Sequence, residues 1–104
     1  MPDYVFAYHG GRTPETPEEG AKVMAAWQAW FGTMGDAVVN DGAPVGKSKT
    51  VSVDGVADNG GSNPLSGFTL VRASDIDAAC EMAKGCPMVI DGSGSVEVAQ
   101  VHEM

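Results

Sequence analysis

The chain uses the same plan twice, a short apolar strand followed by a capped helix, and that repetition narrows its possible folds more than any other feature. Tyr4-Val5-Phe6-Ala7-Tyr8 is aromatic and β-branched and stops at Gly10-Gly11, the profile of a short buried strand. Thr16-Pro17-Glu18-Glu19 then supplies a capping hydroxyl, a proline at the first helical position and a glutamate three residues after the threonine. Apolar residues recur at Val23, Met24, Trp27, Trp30, Phe31 and Met34 with helical spacing along one face, until Gly35 ends the run. Ala37-Val38-Val39 reads as a short strand leading into the turn-rich stretch Asn40 to Pro44. In the second half, Gly67 to Val71 is the strand and Ser74 is the expected helix cap, with Asp77 completing the box. Ile76, Ala79, Cys80 and Ala83 form the apolar stripe, Gly85 is placed to close the helix, and Pro87 opposes its continuation. Val96, Val98 and Val101 mark the last strand.

Between the halves, Ser48 to Val53 alternates in strand fashion and meets Asp54-Gly55, a hairpin signal. Asp58 to Pro64 is a loop too short to separate domains. The expected architecture is an α+β, ferredoxin-like β-α-β-β-α-β subunit with an inserted hairpin, one domain over residues 1–104. Two helices cover only one face of such a sheet. The strands are apolar on both sides, with Val5, Phe6, Ala7 and Leu70, Val71 in consecutive positions. An uncovered apolar sheet is an aggregation hazard. The expected assembly is therefore a homodimer with its sheets face to face, a dimeric α+β barrel.

Composition limits the partners. A net charge of −8, with only six scattered basic residues, argues against nucleic acid, whose binding rests on Lys and Arg meeting phosphates. No stretch approaches membrane-spanning length and the start lacks a basic, apolar leader, so a soluble cytoplasmic protein is expected. Cys80 and Cys86 lack the spacing and histidine companions of a metal or redox site, and no cofactor motif is present. Cys80 is expected on the buried stripe and Cys86 nearer the surface. Gly60-Gly61 lacks phosphate-loop spacing, and Gly46-Lys47-Ser48, which echoes the end of that motif, precedes a strand instead of a helix.

Taken in order, several short motifs carry a family resemblance. They are Pro17-Glu18-Glu19 before the Trp-bearing helix, Gly42-Ala43-Pro44, Thr50-Val51, Gly67-Phe68, Asp77-Ala78-Ala79, Cys86-Pro87 and Gly94-Ser95-Val96-Glu97-Val98. The pattern resembles the YCII-related (DGPF-domain) proteins over essentially the whole chain. The resemblance implies a ferredoxin-like subunit paired into a dimeric α+β barrel. It also implies relatives that include an enzyme eliminating chloride from a chlorinated ring, similarity to muconolactone isomerases, and members encoded beside sigma factors. Two family features are absent. Asp58-Asn59-Gly60-Gly61 stands where the Asp-Gly-Pro-Phe signature would be, and the first helix opens Pro17-Glu18-Glu19-Gly20-Ala21 without the histidine of characterised relatives. Fold transfers further than reaction.

The expected topology brings the ends of strands one and two together with the loop before the last strand. His9, Arg12, Asp41, Lys47 and Ser95 collect at that edge, with the hairpin as a prospective lid. A histidine beside a carboxylate can take a proton from an acidic carbon and return it. His9 oriented by Asp41 is the expected proton-transfer pair, with Arg12 or Lys47 holding an anionic oxygen and Trp30 and Ser95 contacting substrate. The ligand expected is a small hydrophobic cyclic or unsaturated acid, handled by a lyase or isomerase. A ligand-binding or protein-interaction module in stress or transcriptional regulation is the alternative. The bland reading of His9 is a solvent-touching strand end, that of Trp27 and Trp30 is core packing, and that of His102 is a surface residue at the opposite end of the sheet.

Overall fold

Tyr4, Phe6 and Tyr8 alternate with Val5, Ala7 and His9 along strand β1 (Asp3–Gly10), and this alternation sorts the whole sheet into two faces. The computed structural model describes all 104 residues. After β1 come helix α1 (Pro17–Met34), a 3₁₀ turn (Gly35–Ala37), β2 (Val38–Pro44), the hairpin β3 (Thr50–Ser52) and β4 (Gly55–Ala57), and β5 (Leu65–Arg72). Helices α2 (Ile76–Ala83) and α3 (Pro87–Ile90) and strand β6 (Gly94–Gln100) complete the chain. The main sheet is antiparallel in the order β2-β5-β1-β6, with the hairpin as a separate two-stranded sheet. This is the expected ferredoxin-like arrangement, with both outer strands reached by helical crossovers.

The core lies between the helices and one face of the sheet, where Tyr4, Phe6, Tyr8, Val71 and Thr69 meet Trp30, Ala79, Ala83, Cys86 and Met88. Trp30 stacks on Phe6 at 6.1 Å between ring centres, and Trp27 meets Tyr8 edge-on at 5.1 Å. Only the C-terminal half of α1 crosses the sheet. Trp27, Trp30, Phe31 and Met34 therefore pack inward, while Val23 and Met24, expected on the buried stripe, are exposed. Just 12 of the 104 residues are buried, because the opposite sheet face and the whole hairpin have no protein against them.

Helix ends follow local chemistry with one shift. Thr16 caps α1, its Oγ1 accepting from the Glu19 amide at 3.1 Å. The Glu19 carboxylate reaches back to the Glu15 amide at 2.9 Å, one residue before the cap. Gly35, at φ 54°, ends the helix in a conformation L side chains rarely adopt. At α2 the cap is Asp75, not Ser74: its carboxylate accepts from the Ala78 amide at 2.8 Å. Ala79 and Ala83 are the buried pair, one helical turn apart, whereas Ile76 and Cys80 face solvent. The two cysteines thus exchange their expected places. Cys86 is fully buried, and burial pushes its thiol up, which keeps it protonated and inert.

Other departures have similarly local causes. Helix α2 stops before Pro87 as expected, and Pro87 itself opens the separate short helix α3, where its missing amide costs nothing. Gly85 is not a left-handed cap. The chain there passes under Trp30, and a Cβ would lie 2.9 Å from the indole Cδ1. Strand β2 runs on through Asn40–Pro44, expected as turn, because two register irregularities let it stay paired to β5. Gly42 makes this possible at φ 69°, where a Cβ would overlap the Phe68 carbonyl oxygen. Val101 lies beyond β6, though its amide still donates to the Asp3 carbonyl at 2.8 Å.

The cap shift is directly measurable. Thr16→Ala and Asp75→Ala should each lower stability by roughly 1 kcal/mol, since an orphan amide loses its acceptor. Ser74→Ala should leave the urea unfolding midpoint unchanged.

Candidate functional site

His9 sits at the exit of β1, opposite Ser95 of β6 on one side and Leu65 of β5 on the other. Strand alternation points it to the uncovered face of the sheet, the layer opposite its neighbour Tyr8. Its ring is held on both edges. Nδ1 lies 3.0 Å from the Asn63 carbonyl oxygen and 3.2 Å from that of Pro64, while Nε2 lies 2.9 Å from Glu97 Oε1. Backbone carbonyls accept only, so Nδ1 carries a proton and the orientation of the ring is set by the loop before β5. A second proton on Nε2 completes the ion pair with Glu97. The His9 side chain retains 11% of its exposure and that of Glu97 70%, so the carboxylate is free to swing away and the imidazole is not.

Glu97 takes the place expected for Asp41. The pairing register sets Ala7 opposite Glu97 and His9 opposite Ser95, so Glu97 is the diagonal neighbour of His9 on the same face, within reach of a long side chain. Asp41 lies on β2 between positions paired to Leu70 and Phe68, whereas His9 pairs with Leu65. That is about four residues along the sheet, roughly 13 Å of strand rise. What Asp41 contributes is its carbonyl, which accepts from Thr69 Oγ1 at 3.0 Å, and Thr69 in turn accepts from the Tyr8 hydroxyl at 2.7 Å. Burial drives the Tyr8 phenol far above its ordinary range, so it serves as a donor in the core and not as a base.

The remaining candidates separate. Lys47 lines a cleft of about 460 Å³ between the end of β1, the chain leaving β2 and the loop before β5. Gly10, Gly11, Pro64 and Leu65 complete its His9 side, so the cleft adjoins the histidine. Ser95 is at the His9 level of the sheet edge. Arg12 is on the helix side beside Asp91, whose carboxyl is held below its usual range by hydrogen bonding from Ser93, with Arg12 adding to the effect. Trp30 is consumed by the core, its Nε1 donating to the Met82 carbonyl at 3.0 Å. The hairpin does not close over the cleft. Its base, residues 46–48 and 58–60, forms the wall, and its strands project outward with Val51, Val53 and Val56 exposed. No group of three His, Cys, Asp or Glu side chains is placed to hold a metal ion, and no helix is long and apolar enough to cross a membrane.

Comparison with known proteins adds to the fold. No protein-family model matches the chain, and no curated protein matches it. Among solved structures it is similar to the 5-chloro-2-hydroxyhydroquinone dehydrochlorinase TftG from Burkholderia phenoliruptrix AC1100, in complex with 2,5-dihydroxybenzoquinone. The two share 14% sequence identity and a TM-score of 0.60, over 100% of this chain and 96% of that one. At this identity the likeness establishes a shared α+β fold.

The partner of His9 can be tested in solution. Glu97→Gln should shift the His9 ring resonances in NMR spectra, with His102 as internal control, while Asp41→Asn leaves them in place. The reverse pattern would restore Asp41 as the partner.

Proposed function

We propose that this chain acts on a small hydrophobic cyclic or unsaturated acid, as a lyase or isomerase that moves a proton through His9. The observation that carries this reading is the ring of His9, fixed at Nδ1 by two carbonyls of the loop that also walls an open cleft, with Nε2 directed across β6 at the exposed Glu97 carboxylate. As substrate displaces the mobile Glu97, the Nε2 proton passes to solvent, which leaves His9 neutral with its one proton on Nδ1. Nε2 then accepts a proton from a carbon next to a carbonyl, and the C–H electron pair becomes an enolate. Glu97 returns to stabilise the imidazolium, which delivers the proton to a different carbon and shifts the double bond. Where that carbon neighbour bears a leaving group, departure of the group with its bonding pair gives elimination instead. The quinone bound by the structurally similar dehydrochlorinase is a compound of this general kind, planar, cyclic and rich in carbonyls.

The uncovered sheet face supports the assembly expected from the sequence. Val5, Ala7, Phe68 and Leu70 form an apolar strip bordered by the His9–Glu97 and Asp3–Arg72 pairs. A second copy packed on this strip would bury it and enclose the His9 side of the sheet. The same exposure gives a specific footing to the other reading, a module that binds a ligand or protein without catalysis.

Two measurements decide between these. Light scattering at micromolar concentration should give twice the chain mass of 10.7 kDa, and a Leu70→Lys variant should be monomeric. Deuterium exchange into muconolactone-type and quinone-type acids, followed by NMR, should be catalysed and should fall by about a hundredfold in His9→Gln, the usual scale for loss of a general base. Saturable binding with no exchange in the wild-type protein would favour the non-catalytic module.

A further inference from the structure

Three of the six basic side chains are neutralised in pairs: Lys49 with Asp58 at 3.2 Å, Arg72 with Asp3 and Lys84 with Glu81. Lys47 has no acidic partner, in a chain of net charge −8, and it lies on the wall of the cleft beside His9. Asp58 is the one acid on that wall, and Lys49 already answers it. The wall is also backbone-rich. The amides of Gly46, Lys47, Ser48, Asn59 and Gly60 donate no hydrogen bond within the protein. Gly60 lets the two segments approach so closely that a Cβ would lie 2.7 Å from Pro64 Cβ and 2.9 Å from Ser48 Cβ. Deeper in the wall, Ser66 Oγ is shielded and has no hydrogen-bond partner. Val45, Pro64 and Leu65 provide the apolar remainder.

From this geometry we infer that the cleft is a carboxylate subsite for a planar organic acid. The acid group is met by the Lys47 ammonium and the free amides of the hairpin base, and the ring lies against Val45 and Leu65. One unpaired cation and several neutral N–H donors suit a monoanion, since charge-assisted bonds from an ammonium and a run of backbone amides are the usual means of holding one. A nucleotide is disfavoured, because no helix begins at this loop to receive a phosphate chain. The inference deepens the proton-transfer reading by naming the part of the substrate that is held, and it rests on that reading only for what happens next at His9.

Benzoate is the probe. Titrated into ¹⁵N-labelled protein, sodium benzoate should shift the amides of residues 46–48, 59 and 60, and methyl benzoate, which lacks the charge, should not. Lys47→Met should raise the benzoate Kd by about tenfold, the scale of one charge-assisted contact, and Lys47→Arg should restore most of the affinity. Equal response to acid and ester, shifts centred on the Met1–Arg72 edge instead, or indifference to Lys47→Met would each overturn the subsite. Preferential displacement by inorganic phosphate would overturn the monocarboxylate assignment. Exchange chemistry that depends on His9 without any benzoate response would sink the subsite alone. Benzoate binding that depends on Lys47, with no exchange chemistry, would sink only the catalytic reading.

Discussion

Trp30 is the contact on which the rest of the structure depends. Its indole lies flat over Phe6 in the middle of β1, its Nε1 is satisfied by the Met82 carbonyl at the end of α2, and Gly85 leaves room for its edge. One side chain thus ties the first helix to both the sheet and the second helix. A buried indole needs such an acceptor, because an unpaired N–H in this layer would cost more than the packing of its polar edge returns. Helix α2, by contrast, presents its small buried residues Ala79 and Ala83 to the core, which lets it approach the sheet closely but buries little area. Aromatic anchoring on one helix permits near-featureless packing on the other.

That division explains which parts of the fold were legible in the sequence. Strand alternation and the Thr16-Pro17 start are short-range patterns, and the structure follows them. The α2 cap lies one residue beyond the expected Ser74 because Ser74 and Asp75 are both competent caps, and only the path of the chain into the sheet decides between them. Strand β2 was cut short for the same kind of reason. Asn40-Asp41-Gly42 has turn chemistry, and the Asn40 side chain does bond the Gly42 amide at 2.8 Å, but pairing with β5 absorbs the turn as a bulge. The two cysteines changed places because a short helix can meet a sheet through its alanines as readily as through a four-residue stripe.

The site was legible in part. The structure sets Ser95 opposite His9 and places Lys47 on a cleft that adjoins the end of β1. The histidine's partner depends on the register of β1 against β6, a pairing between the two ends of the chain that no local pattern encodes. The one signal in the sequence is the acid in Ser95-Val96-Glu97-Val98, where alternation turns Glu97 to the face that the valines avoid. Trp30, expected at the substrate, belongs to the core, because a tryptophan one turn from another can face either way until the helix axis is placed.

Adjacent residues of β1 separate stability from chemistry. Tyr8 points into the helix layer, where burial holds its phenol protonated and a short chain through Thr69 to the Asp41 carbonyl fixes it. His9, one residue later, points to the opposite layer, where two carbonyls fix one ring edge and an exposed carboxylate meets the other. Because strand geometry sends the two side chains to opposite faces, the core can be rigid without burying the imidazole, and the imidazole can be oriented without disturbing the core. The loop that orients His9 is also the far wall of the Lys47 cleft, since Pro64 contributes to both. The cleft wall and the orientation of the imidazole thus depend on one short segment, residues 58–64.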